Sequence, residues 1–187
     1  RVMLLEVMGR NAGWIALHSG TAGGGDVILI PEIPFTYEAI CEKIAERRRC
    51  GKKFSIIVVA EGAKLPDGQL VYQEMVPDNP HLNKLGGVAN VIGSIIQQQC
   101  QVQTRVTVLG HLQRGGTPTA FDRILGTRFG VKAAKLIMEK QFGSMTCLKG
   151  NEILSVPLGD AVKEQKLVKP DSELVQAAKA VGISFGD

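Results

Sequence analysis

Two short stretches hold the residue types best suited to chemistry. Gly110-His111-Leu112-Gln113-Arg114-Gly115-Gly116-Thr117-Pro118 follows an apolar run, Val106 to Leu109, and precedes a long helical pattern. It reads as a strand, a glycine-rich turn and a helix start. A helix start presents unpaired backbone N–H groups at the positive end of the helix dipole. His111 and Arg114 in the same turn add side-chain donors suited to a phosphate, and the glycines let backbone approach a ligand closely. Val7-Met8-Gly9-Arg10-Asn11 is a second junction of the same design. A third feature, Glu61-Gly62, ends a β-branched run from Phe54 to Ala60. A carboxylate flanked by two basic turns suits a sugar phosphate, with Glu61 accepting from sugar hydroxyls while His111 and Arg114 hold the phosphate.

These residues need a scaffold that carries them to one place. Residues 2–7 read as an apolar strand, 11–22 as a helix rich in small residues, and 26–30 as a short strand. Thr36 is suited to cap a helix over 37–49, with Ile40, Ile44 and Ala45 on its apolar side. A strand over 54–60 follows. Residues 62–80 carry turn chemistry (Leu65-Pro66-Asp67-Gly68, Val76-Pro77-Asp78) around an extended run at 69–73, a loop or hairpin excursion. Then come a helix over 84–99 weakened by three glycines, a strand over 105–109, and a helix over 119–140. Ile124, Leu125, Phe129, Ala133, Leu136 and Ile137 lie on the apolar side of that last helix. Strands at 144–149 and 151–155 and a helix near 171–180 complete the chain. Strands alternating with helices predict an α/β layer fold with a mostly parallel sheet, read over 1–187 as a single domain. In such sheets ligands bind beyond the carboxyl ends of the strands, where all three features fall.

Composition narrows the function classes. The chain has 187 residues, 44% of them hydrophobic but only 5% aromatic, so its core is built from Val, Ile, Leu and Ala. The net charge of +4 is modest. The basic block Arg47-Arg48-Arg49 with Lys52-Lys53 sits opposite Glu38, Glu42 and Glu46 and reads as a solvated helix face. No aromatic platform interleaves it, which argues against nucleic acid as a partner. No apolar run approaches 18 residues and no signal peptide is visible, so a soluble, cytoplasmic protein with no membrane partner is expected. Cys41, Cys50, Cys100 and Cys147 show no C-x-x-C spacing, and histidine is too sparse for zinc; free thiols in a reducing compartment and no metal site are expected. The chain opens at Arg1 directly before a strand, as expected of a piece of something longer.

The runs Glu6-Val7-Met8-Gly9-Arg10, Val59-Ala60-Glu61-Gly62 and Arg105-Val106-Thr107-Val108-Leu109-Gly110-His111-Leu112-Gln113-Arg114-Gly115-Gly116-Thr117-Pro118 resemble the 6-phosphofructokinases. Asp122-Arg123 fits as well, and the resemblance spans nearly the whole chain. The segment between Glu61 and Arg105 is longer than in the compact bacterial allosteric enzymes, which resembles the long-insertion branch using ATP or pyrophosphate. The resemblance implies the fructose 6-phosphate-binding lobe of that fold, a three-layer Rossmann-like α/β domain. It implies phosphoryl transfer from ATP or pyrophosphate to the 1-hydroxyl of fructose 6-phosphate. By the same resemblance Met8, Gly9 and Arg10 form the loop at the acceptor sugar. Arg10 is the catalytic residue, beside the transferring phosphoryl, where it balances transition-state charge. Glu61 binds sugar hydroxyls, His111 and Arg114 bind the 6-phosphate, and Arg1 and Arg105 grip the same phosphate.

Geometry refines the last assignment. Arg1 precedes strand 2–7 and Arg10 follows it, roughly 25–30 Å apart; Arg105 opens a strand whose far end carries His111 and Arg114, roughly 20 Å away. One sugar phosphate cannot touch both ends. Arg1 and Arg105, if they bind substrate, serve a neighbouring subunit, which implies a homo-oligomer with shared active sites. The family's donor loop and the segment carrying its general base are not found in this chain, and neither is a Walker loop. The Mg2+ ligands are therefore expected in another portion, and the chain alone is expected to be inactive. Asp26 and Lys52 fit loosely the effector site of allosteric bacterial relatives. A non-catalytic phosphosugar-binding or regulatory module on the same fold is the alternative reading.

Overall fold

The computed structural model describes residues 1–75 and 83–187; the turn read at 76–78 lies outside them. In chain order the elements are β1 (Val2–Val7), α1 (Trp14–Ala22), β2 (Val27–Leu29), α2 (Tyr37–Arg49), β3 (Ser55–Ala60), β4 (Tyr72–Glu74) and β5 (Lys84–Leu85). There follow α3 (Val88–Gln99), β6 (Thr104–Val108), α4 (Ala120–Met138), β7 (Ser144–Lys149), β8 (Glu152–Pro157), the single turn α5 (Leu158–Ala161) and α6 (Glu173–Ala180). Two compact units result: Arg1–Arg114 with Leu167–Asp187, and Gly115–Lys166. The sequence reading draws no boundary inside 1–187.

The first unit is built on a sheet of order β2-β3-β1-β6, parallel throughout. β1, β2 and β3 are mostly apolar and largely buried on both faces, as a covered parallel sheet requires, whereas the outer strand β6, Thr-Arg-Val-Thr-Val, is half-buried to exposed along its length. Val2 and Leu4 of β1, with Leu29, Ile57 and Val59, pack against Ile40 and Ile44 of α2 and Ile92 and Ile96 of α3. Val7, Ile28, Val58 and Ala60 point the other way, onto Ala16 and Leu17 of α1 and Val175 and Ala178 of α6. Alternate side chains along each strand serve opposite helix layers, and the three-layer α/β arrangement expected from the sequence follows.

Local chemistry sets the helix starts. The Thr36 hydroxyl accepts from the Ala39 N–H at 3.2 Å, and α2 begins where the cap predicts. α1 starts at Trp14 rather than at residue 11. The Glu32 carboxylate takes the Gly13 N–H at 3.0 and 3.1 Å, and a Cβ on Gly13 would lie 2.4 Å from the Ile30 side chain. α3 starts at Val88 rather than at 84. Gly86 and Gly87 have φ of +139° and +85°, so two of the glycines counted against the helix form the turn before it. Lys84–Leu85 is instead extended and pairs antiparallel with Tyr72–Glu74, which makes the excursion a hairpin.

In the second unit β7 and β8 form an antiparallel ribbon from Ser144↔Pro157 to Lys149↔Glu152. α4 opens with a reciprocal cap between Thr119 and Asp122. The Thr119 hydroxyl and N–H hold the Asp122 carboxyl below its ordinary range, so the cap is in force at neutral pH and is released as acid titrates that lowered value. Leu136 is buried on α4, and Leu125, Phe129 and Ala133 half-buried, at helical spacing. Ile124 and Ile137, expected on the apolar side, fall beside that stripe and are 61% and 63% exposed.

One expectation is overturned. The spacing of the cysteines predicts four free thiols, yet Cys41 and Cys100 form a disulfide, with Cα atoms 5.6 Å apart across a separation of 59 residues. Cys50 and Cys147 are free. The cause is tertiary: α2 and α3 pack side by side on one face of the sheet, a neighbourhood that linear spacing does not encode. Air-oxidised protein, denatured without reductant, should show two reactive thiols per 187-residue chain, against four after reduction. Four in both states would contradict the pairing. Reduction should lower the stability of the first unit by about 2–4 kcal/mol.

Candidate functional site

Parallel register brings the strand ends together. Val7 lies opposite Ala60 and Glu6 opposite Val108, so the turns leaving β1, β3 and β6 share one edge of the sheet. Backbone bonds carry the alignment past the strands: Glu61 N–H donates to the Val7 carbonyl at 2.9 Å and Leu109 N–H to the Glu6 carbonyl at 3.1 Å. Beyond Leu109 the chain tightens into a 3-10 turn, Gly110–Arg114.

The turns are then tied to one another by side chains. Glu61 Oε1 accepts from the Gly9 N–H at 3.1 Å and the Arg10 N–H at 2.9 Å. Arg10 has φ of +49°, a left-handed conformation that costs a non-glycine residue about 1–3 kcal/mol. The fit is close: a Cβ on Gly62 would lie 1.8 Å from the Arg10 carbonyl oxygen. From the other side Gln113 Oε1 accepts from the Met8 N–H at 2.7 Å.

The result is a cavity of about 260 Å3 whose lining includes Met8, Arg10, Glu61, His111 and Arg114. An adjoining depression adds Gly9 and Gln113 to Met8, Arg10, Glu61 and Arg114. Arg10, His111 and Arg114 are exposed, so three basic side chains border an open space, an arrangement suited to a phosphate dianion. The carboxylate that holds the turn also faces that space.

Arg1 and Arg105 lie at the other edge. Arg105 stands opposite Met3 in the register and Arg1 immediately precedes β1; neither lines the cavity. Asp26 serves the fold: its carboxylate accepts from the Ile56 N–H at 2.8 Å and pairs with Arg47 at 2.7 Å. Lys52 is exposed in the turn after α2. Among the described residues no group of three or more His, Cys, Asp or Glu side chains gathers as a cation cage, and no helix is long and apolar enough to cross a membrane.

Sequence reasoning missed two residues. Gln113 sits in the quoted motif without a role there. Glu6, only 2% exposed, accepts from the Gly87 N–H at 2.8 Å and the Ala89 N–H at 2.9 Å, satisfying unpaired donors at the start of α3. The available signal was a carboxylate inside an apolar strand, which demands a buried partner.

A sheet edge of this kind, with basic turns round a carboxylate on an α/β fold, is suited to a phosphate ester. Comparison with known proteins makes the assignment specific. The family model described as Phosphofructokinase matches residues 1–137. ATP-dependent 6-phosphofructokinase 2 of Clostridium perfringens is 52% identical over 188 residues, across 100% of this chain and 51% of that protein. The structure of phosphofructokinase from Saccharomyces cerevisiae superposes with a TM-score of 0.71 at 34% identity, over 87% of this chain and 20% of that one. Pyrophosphate-dependent phosphofructokinase from Marinobacter aquaeolei shares the fold, with a TM-score of 0.74 at 23% identity over 99% of this chain and 45% of that one. The chain belongs to the phosphofructokinase family, and it spans about half the length of the curated relatives it matches.

The fit at Gly62 generates a stability contrast. Gly62→Ala should destabilise by about 1–3 kcal/mol as the Arg10 turn is pushed away. Gly126→Ala, on α4 with nothing within 4 Å of its added Cβ, should stabilise by about 0.4–1 kcal/mol. Chemical denaturation reads both, and equal effects would contradict the close approach.

Proposed function

We propose that the full-length protein is a 6-phosphofructokinase that transfers a phosphoryl group to the 1-hydroxyl of fructose 6-phosphate, giving fructose 1,6-bisphosphate in glycolysis, and that this chain supplies the acceptor-sugar pocket. The observation that carries the reading is the convergence of Arg10, Glu61, His111 and Arg114 on one cavity. His111 and Arg114 hold the 6-phosphate, Glu61 accepts a sugar hydroxyl, and the turn Met8-Gly9-Arg10 lies along the sugar. Arg10 then balances charge that develops on the transferring phosphoryl, the dominant demand of this chemistry. ATP is the proposed donor, because relatives at 52% and 46% identity are named ATP-dependent. Donor and general base belong to the portion outside this chain. Among the described residues no group of carboxylates gathers as a Mg2+ cage, and the ligands of that ion are proposed to lie in the portion outside this chain.

Arg1 and Arg105 complete the phosphate site of a neighbouring subunit in a homo-oligomer. The parallel register supports this, since it puts both arginines at the edge opposite His111. The compartment proposed is the cytoplasm. Asp26 and Lys52 remain proposed effector contacts only if a ligand draws Asp26 from Arg47.

The test uses the full-length protein. Turnover of fructose 6-phosphate with ATP is expected, and His111→Ala should raise its KM at least about tenfold, the loss of one charge-assisted hydrogen bond. Binding without turnover would favour a regulatory module instead. At a fructose 6-phosphate concentration near the wild-type KM, hybrids of Arg105→Ala with His111→Ala subunits should be more active than either parent; no gain would count against shared sites. Residues 1–187 alone should show no turnover.

A further inference from the structure

The hairpin inside the long excursion supplies a wall of the cavity: Gln73, Lys84, Leu85 and Gly86 line it together with His111 and Arg10. The sequence reading gave this segment no role beyond its length. Its placement is built, not incidental. Glu6, buried at the end of β1, accepts from Gly87 and Ala89. Gly86 N–H donates back across the hairpin to the Val71 carbonyl at 3.2 Å. A Cβ on Gly86 would come within 3.2 Å of Glu6 Oε1 and 3.0 Å of the Gln73 side chain. The hairpin is therefore latched to β1 two residues before Met8.

We propose that Lys84 is a further substrate-binding residue, whose ammonium exchanges Glu74 for the phosphate of the bound phosphosugar. This rests on the acceptor-pocket reading above. Lys84 pairs with Glu74, and the two side chains are 67% and 57% exposed. An ion pair so exposed contributes about 0–1 kcal/mol, so little opposes its exchange. A phosphate dianion offers more charge and more acceptor oxygens than one carboxylate, and charge-assisted bonds to it are the stronger kind. Lys84 holds the Glu74 carboxyl below its ordinary range, so Glu74 is a carboxylate at neutral pH and the pair sits at the rim of the cavity. It borders the same cavity as His111, while the adjoining depression reaches neither residue.

The experiment measures KM and kcat for fructose 6-phosphate in the full-length protein carrying Lys84→Ala, Lys84→Arg or His111→Ala. Lys84→Ala should raise KM about tenfold, the worth of one charge-assisted bond, with the rise exceeding any fall in kcat. Lys84→Arg should restore KM to within about threefold, since it keeps the cation. A KM for Lys84→Ala within twofold of wild type, with His111→Ala strongly raised, overturns the role of Lys84 and leaves the pocket reading standing. If His111→Ala is also without effect, the pocket reading itself fails and Lys84 falls with it. Equal loss in Lys84→Ala and Lys84→Arg would mark a structural role and overturn the exchange.

Discussion

One carboxylate oxygen holds the turn on which the site is built. Glu61 Oε1 collects the N–H groups of Gly9 and Arg10, and bonds to a charged acceptor are worth about 1.5–3 kcal/mol each. Two of them are enough to offset the cost of a left-handed arginine. Without that anchor Arg10 would relax toward ordinary backbone, and its guanidinium would leave the rim of the cavity. Gln113 repeats the device from the other side, tying Met8 to the turn that carries His111 and Arg114. Arg10 and Arg114 are thus brought to one cavity by contacts made through backbone N–H groups, which leaves their guanidinium groups available for a ligand.

The sheet makes this convergence possible. Parallel pairing without bulges among β1, β3 and β6 brings the ends of all three strands to one edge, and the burial of β1 and β3 leaves the loops beyond the edge as the place for polar chemistry. The same constraint sends Arg1 and Arg105 to the opposite edge. The proposed sharing of sites between subunits rests on that separation. Glu6 shows how polar demand inside the apolar layer is met: its buried carboxylate accepts from the start of α3 and, by doing so, aligns a hairpin beside the cavity.

Much of this was legible from sequence. Thr36 marks the start of α2, and the alternation of apolar strands with helical segments predicts the layers. Motifs with two glycine-rich turns and an intervening Glu61 name the residues that later meet. What stayed hidden depends on neighbours distant in the chain. Residues 84–87 share a helical apolar pattern with those after them, yet the positive φ of Gly86 and Gly87 diverts Lys84 and Leu85 into a ribbon. The pairing of Cys41 with Cys100 depends on two helices lying side by side. Asp26, a candidate effector ligand by resemblance, is taken up by Arg47 and the Ile56 N–H, contacts that no local pattern reveals.

The account depends most on the charge of Glu61, which both shapes the turn and faces the ligand. Calorimetric titration of the full-length protein with fructose 6-phosphate, wild type against Glu61→Gln, tests it most directly. The substitution keeps the acceptor oxygen but removes the charge, and affinity should fall by at least about tenfold while the melting temperature falls by only about a few degrees, as two charge-assisted bonds become neutral ones. Equal affinity in the two proteins would contradict the central claim.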